Sequence, residues 1–88
     1  MDEFDWDETK SEWNRAQRGF GFEIVYEFDW ETAVIERDER MDYGEERFRA
    51  FGRASGKPLF VAFTRRAKTI RIISVRRMHS KEARHYGL

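Results

Sequence analysis

Arginine offers the most chemistry in this 88-residue chain, and most of the arginines fall in its second half. The planar guanidinium binds phosphate through paired hydrogen bonds and stacks on nucleobases, and tyrosine and tryptophan add further stacking surfaces. RNA carries its own nucleophile, the 2′-hydroxyl. A protein that positions the scissile phosphate, stabilises its added charge and accepts one proton therefore needs no metal. The candidate cations are Arg47, Arg49, Arg65, Arg66, Arg71, Arg76 and Arg77.

Roles can be assigned within this set, although each residue also has a structural explanation. Glu45 could accept the proton, with Arg47 and Arg76 as clamps on the phosphate charge, and Tyr86 or His79 could donate a proton or stack. Alternatively, Glu45 and Arg47 form a structural pair and Tyr86 packs the last helix. A solvated basic face also explains such a run of cations.

Several other kinds of site are excluded by residue type and spacing. The chain has no cysteine, and His79 and His85 lie six residues apart, so a zinc site is not expected. No phosphate-binding loop occurs, and neither Ser55 nor Ser74 lies in a nucleophile elbow. We therefore expect neither a metal nor a cofactor.

The net charge of zero conceals a strong asymmetry along the chain. Residues 1–46 contain 16 acidic and 5 basic residues, a net charge of −11, whereas residues 47–88 contain 12 basic residues and one acid, a net charge of +11. Such a basic half suggests an anionic partner. Two alternatives remain: the halves neutralise each other in mixed surface pairs, or the acidic half excludes RNA until a partner arrives.

The first half predicts two helices. Asp7 is a plausible N-cap and Gly19 a stop signal, which predicts a helix over residues 8–18. On that helix Thr9, Trp13, Ala16 and Gln17 share one arc, which predicts its buried face, and Lys10 lies at the edge of the arc, where it could snorkel. Residues 22–28 are apolar on both sides and predict a short buried helix, with a strand as the alternative.

The rest of the chain predicts a four-stranded antiparallel meander and a closing helix. The strands are expected at residues 32–37, 46–53, 59–64 and 69–76, and the helix at residues 81–86. The predicted fold class is therefore α+β: two N-terminal helices, a four-stranded antiparallel sheet and a C-terminal helix in a single domain spanning residues 1–88. The helices should cover one sheet face and leave strand arginines on the other. In a regular last strand, Arg71 and Arg76 would lie on opposite faces.

The sequence also gives an expectation for the cellular location of the protein. The longest apolar run, residues 59–63, is far too short to cross a bilayer, and the chain opens with acidic residues rather than a cationic leader. We therefore expect a cytoplasmic protein with no membrane partner.

The first segment of interest contains, in this order, Trp6, Asp7, Lys10, Asn14, Gly19 and Phe22. It resembles the opening of the BrnT-type toxins, which have Trp-Asp, Lys and Asn, followed by Lys-His-Gly-Val and a Phe. The middle segment Gly44-Glu45-Glu46-Arg47 is similar to the family's Gly-Glu-x-Arg strand. The strongest match is residues 70–77, Ile-Arg-Ile-Ile-Ser-Val-Arg-Arg, against Ile-Arg-Ile-Ile-Ser-Ala-Arg-Lys in the family.

The resemblance implies a RelE-like ribonuclease toxin of a type II toxin–antitoxin module. It implies an RNA substrate and a cognate BrnA-like antitoxin with a ribbon-helix-helix DNA-binding end, in a 2:2 complex that reaches DNA only through the antitoxin. Carried over by position, the catalytic candidates are Glu45, Arg47, Arg76 and Tyr86. The RNA-binding candidates are Trp6, Lys10 and Arg71, to which residue type adds Arg77. Trp6, like Trp13, could instead be a core residue.

One departure from the family pattern bears on activity. The family's Lys-His before the glycine is Gln17-Arg18 in this chain, so a histidine acid or base is missing at that position. The competing hypothesis is therefore a non-catalytic module of the same fold, which binds an antitoxin-type protein or nucleic acid and has lost cleavage.

Overall fold

A five-stranded mixed sheet forms the centre of the fold, in a computed structural model that describes residues 3–88. The strand order is β1-β5-β4-β3-β2; β1 and β5 are parallel, and all other neighbours are antiparallel. No helix within residues 3–88 has the length and apolar character needed to span a membrane. The strands are β1 (Glu3–Trp6), β2 (Val34–Arg37), β3 (Phe48–Ala54), β4 (Lys57–Arg66) and β5 (Thr69–Arg77), and the helices are α1 (Glu8–Arg18), a 3₁₀ helix (Phe22–Tyr26) and α2 (Ser80–His85).

The predicted arrangement of two N-terminal helices and a four-stranded antiparallel sheet is wrong, although the class is still α+β. The first element is a strand, β1, which pairs with β5 through Phe4↔Ile70 and Trp6↔Ile72. In residues 3–6 charged and aromatic side chains alternate, and an alternation every two residues is typical of a β-strand. Their partner is more than sixty residues away in the chain, so no neighbouring turn signals the pairing.

The second predicted helix is only a five-residue 3₁₀ helix. Its buried residues are Phe22 and Val25, three positions apart. A 3₁₀ helix has three residues per turn, so these two side chains lie directly above each other and both reach the core. The tighter winding therefore suits a segment that sends two apolar side chains three positions apart, Phe22 and Val25, into the core.

The bounds of α1 are as predicted, but its predicted buried face is wrong. The Asp7 carboxylate accepts a hydrogen bond from the backbone N–H of Lys10 at 3.2 Å, and Gly19 ends the helix in the left-handed conformation with φ 87°. The buried residues are Ser11 and Asn14, whereas Trp13 is 56% exposed.

Hydrogen bonds to the following segment explain this reversal. The Ser11 hydroxyl accepts from the backbone N–H of Phe22 at 2.8 Å, and the Asn14 amide donates to the backbone carbonyl of Phe20 at 2.9 Å. Buried backbone groups outside regular structure need such partners. The polar side of α1 therefore faces inward because it satisfies the chain that turns beneath it.

The hydrophobic core lies on one face of the sheet. Its residues from β4 are Leu59, Val61 and Phe63, all at most 1% exposed, and the 3₁₀ helix adds Phe22 and Val25. Gly52 of β3 makes room for the Phe28 ring, because an added Cβ there would lie only 2.8 Å from it. The core lies on the side of the sheet opposite Arg49, Arg53, Arg66, Arg71 and Arg76, whereas Arg65 pairs with the core residue Ile70 and lies on the core side.

A β-bulge in β5 determines where two of the arginines point. Ala62 pairs with Ser74 but the next residue, Phe63, pairs with Ile72, so Ile73 is left without a partner in β4. The extra residue reverses the alternation of side chains along β5. Arg71 and Arg76, opposite Thr64 and Phe60, consequently lie on the same sheet face, whereas a regular strand would separate them.

We expect Ser11→Ala to lower the free energy of unfolding by about 1–3 kcal/mol, because it leaves the buried N–H of Phe22 without its acceptor. Urea denaturation measures the change. Gln17→Ala on the exposed side of α1 is the matched control and should change stability by no more than about 0.5 kcal/mol. Equal effects of the two substitutions would show that the Ser11 hydrogen bond contributes nothing.

Candidate functional site

The sheet face opposite the core carries most of the strand arginines, and we call it the arginine face. Five of the eight strand arginines lie on it: Arg49, Arg53, Arg66, Arg71 and Arg76. They are, or pair with, even-numbered residues of β4, whereas the core residues of β4 are odd-numbered. The helix α2 packs on one end of this face, where the Tyr86 ring stacks on Phe51 with centroids 3.9 Å apart. The other end remains open to solvent.

At the open end, four cations and two carboxylates line a recess of about 150 Å³, which we call the cationic pocket. Its charged side chains come from four parts of the chain: the start of α1, the segment before β3, the end of β4, and β5. They are Asp7, Lys10, Glu45, Arg47, Arg66 and Arg71. The floor is formed by the sheet at Thr64 and Ile72.

Glu45 is held at the wall of the cationic pocket by two arginines. Its carboxylate lies 3.4 Å from Nε of Arg47 and 3.7 Å from Nη2 of Arg66. The Arg47 guanidinium in turn lies over the Tyr43 ring, 4.2 Å from its centroid. Glu45 and Arg47 are about one-third exposed, so both are accessible to solvent while their positions are constrained.

Arg71 is positioned by the neighbouring strand. Its guanidinium lies 3.6 Å from Oδ2 of Asp5, the residue opposite it in β1. The other oxygen, Oδ1 of Asp5, is buried and has no hydrogen-bond partner among residues 3–88. The Arg71 side chain is 30% exposed, so it is anchored from β1 while it faces the cationic pocket.

A second cluster lies beneath α2 and contains Arg76. Arg76 donates two hydrogen bonds to Glu82, at 2.8 and 3.1 Å, and lies over the Phe60 ring at 4.4 Å. The hydrogen bonds from Arg76 lower the pKa of the Glu82 carboxyl below its ordinary value. This pair joins β5 to α2 and does not line the cationic pocket.

Tyr86 belongs to the same cluster. Its hydroxyl donates to Glu36 at 2.9 Å, and Glu36 also lies 3.4 Å from Arg49. Burial of the ring and the hydrogen bond to Glu36 raise the pKa of the Tyr86 hydroxyl, so it stays protonated at neutral pH. Tyr86 therefore connects α2 to β2 and β3, away from the cationic pocket.

The remaining predicted residues do not line the cationic pocket. Trp6 points to the core side, where its ring meets the Phe22 ring edge-on at 6.5 Å and its indole N–H donates to Glu8 at 3.2 Å. Arg77 is exposed beside α2. His79 precedes α2 at its N-cap position without a side-chain capping bond. The structure thus brings together four of the predicted residues: Lys10, Glu45, Arg47 and Arg71.

The sequence assigned no role in this pocket to Arg66 or Asp7. Arg66 was counted among the cations, but β4 was expected to end at residue 64 and in fact continues to Arg66. Arg66 lies two residues after Thr64, and residues two apart on a strand share a face. This spacing is the signal in the sequence that places Arg66 on the same face as Thr64. Asp7 was predicted only as a helix cap, and it caps α1 while lining the pocket.

Comparison with known families agrees with the sequence resemblance. Residues 6–82 match the family described as the ribonuclease toxin BrnT of type II toxin–antitoxin systems. The chain belongs to the BrnT family. The match includes every residue that lines the cationic pocket. A search of curated proteins gave no match.

Membership of the BrnT family gives the activity in general terms. Proteins of this family are ribonuclease toxins of type II toxin–antitoxin systems, which implies an RNA target and an antitoxin protein partner. The predicted family is therefore confirmed, and with it the general class of toxin.

The stabilisation from the Arg76–Glu82 pair should depend on pH. The folded-state pKa of Glu82 is lowered, so the stabilisation is fully present above the ordinary glutamate value of 4.5 and is lost as the pH falls through the folded-state pKa. We expect Glu82→Gln to destabilise this BrnT protein by about 1 kcal/mol near neutral pH. Urea denaturation at several pH values should show this difference shrinking in acid.

The control for that measurement is Glu12→Gln, which removes an exposed pair with Arg15 on α1. It should change stability by less than about 0.5 kcal/mol at every pH. A difference between Glu82→Gln and the unmodified protein that stays constant down to low pH would contradict the charge-pair explanation.

Proposed function

We propose that this BrnT family protein is a metal-independent endoribonuclease that cleaves RNA in the cationic pocket. The observation that carries the proposal is the convergence of Lys10, Arg47, Arg66 and Arg71 around the carboxylate of Glu45. Cations fixed by the fold stabilise charge that develops on a phosphate without reorganisation during the reaction. They provide the electrostatic part of catalysis from side chains alone.

The scissile phosphate would bind between the guanidinium groups of Arg47 and Arg71. Each of these two groups is already anchored, one over Tyr43 and one beside Asp5. An anchored guanidinium loses little freedom when it forms paired hydrogen bonds to phosphate. Binding therefore aligns the phosphate with Glu45 at the pocket wall.

The reaction is an in-line attack by the 2′-hydroxyl of RNA on the adjacent phosphorus. Glu45 accepts the hydroxyl proton while the new oxygen–phosphorus bond forms and the bond from phosphorus to the 5′-oxygen breaks. The departing oxygen takes a proton from Lys10, because the arginine guanidinium does not release one. The products are a 2′,3′-cyclic phosphate and a 5′-hydroxyl.

The other predicted residues have supporting roles in this proposal. Arg76 and Tyr86 hold α2 on the arginine face through Glu82 and Glu36, and Trp6 anchors β1 to the core. Arg77, exposed beside α2, would contact the RNA backbone beyond the cleavage site. No histidine is needed at position 18, where this chain has arginine.

We further propose neutralisation by a cognate BrnA-like antitoxin with a ribbon-helix-helix DNA-binding end, in a 2:2 complex. The family description supports an antitoxin partner, and the net charge of −11 on residues 1–46 supports a basic surface on that partner. DNA would be contacted only by the antitoxin. Size and mass of the co-purified complex test the stoichiometry.

We expect Glu45→Gln to reduce the rate of RNA cleavage at least about 100-fold, because the amide cannot accept the proton while it preserves the shape of the side chain. Arg71→Ala should reduce the rate by about 100- to 1,000-fold through loss of charge stabilisation. A gel assay with purified protein and labelled RNA in excess EDTA measures both rates.

The matched control is Arg53→Ala, which removes an exposed arginine of β3 that does not line the pocket. Its cleavage rate should equal that of the unmodified protein. If the unmodified protein cleaves no RNA in EDTA, or if Glu45→Gln cleaves normally, the proposed mechanism is wrong. In the absence of any cleavage, the non-catalytic alternative is favoured, in which Glu45 and Arg47 are only a structural pair.

A further inference from the structure

A second recess adjoins the cationic pocket along α1, and the cleavage reaction gives it no role. Its volume is about 210 Å³, and it is lined chiefly by Lys10, Trp13, Asn14, Arg18, Ile73 and Ser74. Lys10 and Ile73 line both recesses. The two spaces therefore meet at these two side chains, one cationic and one apolar.

The distinctive residue of this recess is Trp13. It is 56% exposed, an unusual state for tryptophan, although it lies on a helix packed against the sheet. The Arg18 guanidinium lies 5.2 Å from the centre of the indole ring. Because the guanidinium lies over one face of the indole, the exposed remainder of the ring is the surface on which a nucleobase can stack.

Arg18 is fixed in place rather than free in solvent. Its Nη1 donates to the backbone carbonyl of Val75 at 3.0 Å and to the Asn14 side chain at 3.1 Å. These bonds hold the cation between α1 and β5 and leave other guanidinium N–H groups for a ligand. The recess thus has a rigid wall before any ligand binds.

We propose that this recess binds the nucleobase of a nucleotide next to the scissile phosphate, by stacking on Trp13 beside Arg18. The inference rests on the proposed function, since the phosphate in the cationic pocket sets the position of the base. A recess smaller than a typical drug-sized site suits one planar base. Its charged lining residues within the described part of the chain are Lys10 and Arg18, both cations, which suits a ligand with an anionic backbone such as RNA.

Binding should be measured with a fluorescein-labelled RNA oligonucleotide whose 2′-hydroxyls are methylated, because this removes the nucleophile and separates binding from cleavage. We expect Trp13→Ala to weaken binding about tenfold by fluorescence anisotropy, the loss typical of one stacked base. Trp13→Phe should restore most of the affinity. Tyr26→Ala, which removes a 65% exposed aromatic residue outside both recesses, should have no effect.

A complementary experiment leaves the protein unmodified. The cleavage position is mapped on the all-ribose oligonucleotide, and one abasic nucleotide is then placed on either side of it in the methylated form. We expect one of these positions to weaken binding to the unmodified protein about tenfold but to leave binding to Trp13→Ala unchanged. This non-additivity identifies the stacked nucleotide and does not depend on the stability of any variant.

The outcomes separate this inference from the proposed function. Equal affinity of Trp13→Ala and the unmodified protein would overturn the base site, even if Glu45→Gln abolishes cleavage. A Trp13→Ala variant that binds RNA normally but loses antitoxin binding would assign the surface to the protein partner and overturn the inference as well. Normal cleavage by Glu45→Gln together with Trp13-dependent binding would instead overturn the catalytic assignment and leave the base site in place.

Discussion

In β5, Ile73 has no partner in β4, and the direction of every side chain beyond it depends on that one extra residue. With the bulge, Val75 faces the core and Arg76 faces solvent and α2, while Arg71 before the bulge lies on the same face as Arg76. A regular strand that kept Arg71 outside would bury the charge of Arg76 in the core. Burial of an unpaired charge costs several kcal/mol, of order 5 or more, so the register is fixed by both charge and packing.

The same residue divides the surface to which we assign the proposed function. Ile73 lies where β1 has ended and α1 runs beside β5, so it separates the cationic pocket from the recess at Trp13. The boundary between the two recesses is thus the β-bulge of β5, which is part of the sheet itself. Bulges are common next to active sites because they redirect side chains without a change of fold.

The opposite charges of the two halves are combined in the folded chain. Four cations of the second half pair with acids of the first half: Arg71 with Asp5, Arg49 with Glu36, and Arg47 and Arg66 with Glu45. Neutralisation of the two halves by mixed ion pairs and a cationic surface on the second half are therefore both present in the same fold. The acids position the arginines, and the arginines remain exposed enough to bind a further anion.

Local signals in the sequence predicted the local structure well. The bounds of α1 follow from Asp7 and Gly19, and the hairpin strands from their alternation. The pairing of β1 with β5 and the bulge at Ile73 depend on contacts distant in sequence, and neither has a local signature. The prediction of the buried face of α1 is wrong because Ser11 and Asn14 face inward, where they form hydrogen bonds to the backbone. A pattern of hydrophobic residues does not reveal such bonds. The family motif identified Lys10, Glu45, Arg47 and Arg71, but only the fold explains why they meet.

The pairing of β1 with β5 also has a consequence for synthesis of the chain. Strand β1 pairs only with β5, the last strand of the sheet in chain order, and Arg71 has its anchor, Asp5, only after that pairing. Closing so long a loop is entropically costly and slow, so the cationic pocket assembles late. A chain synthesised only as far as β4 therefore lacks Arg71 and the side of the cationic pocket that β5 provides.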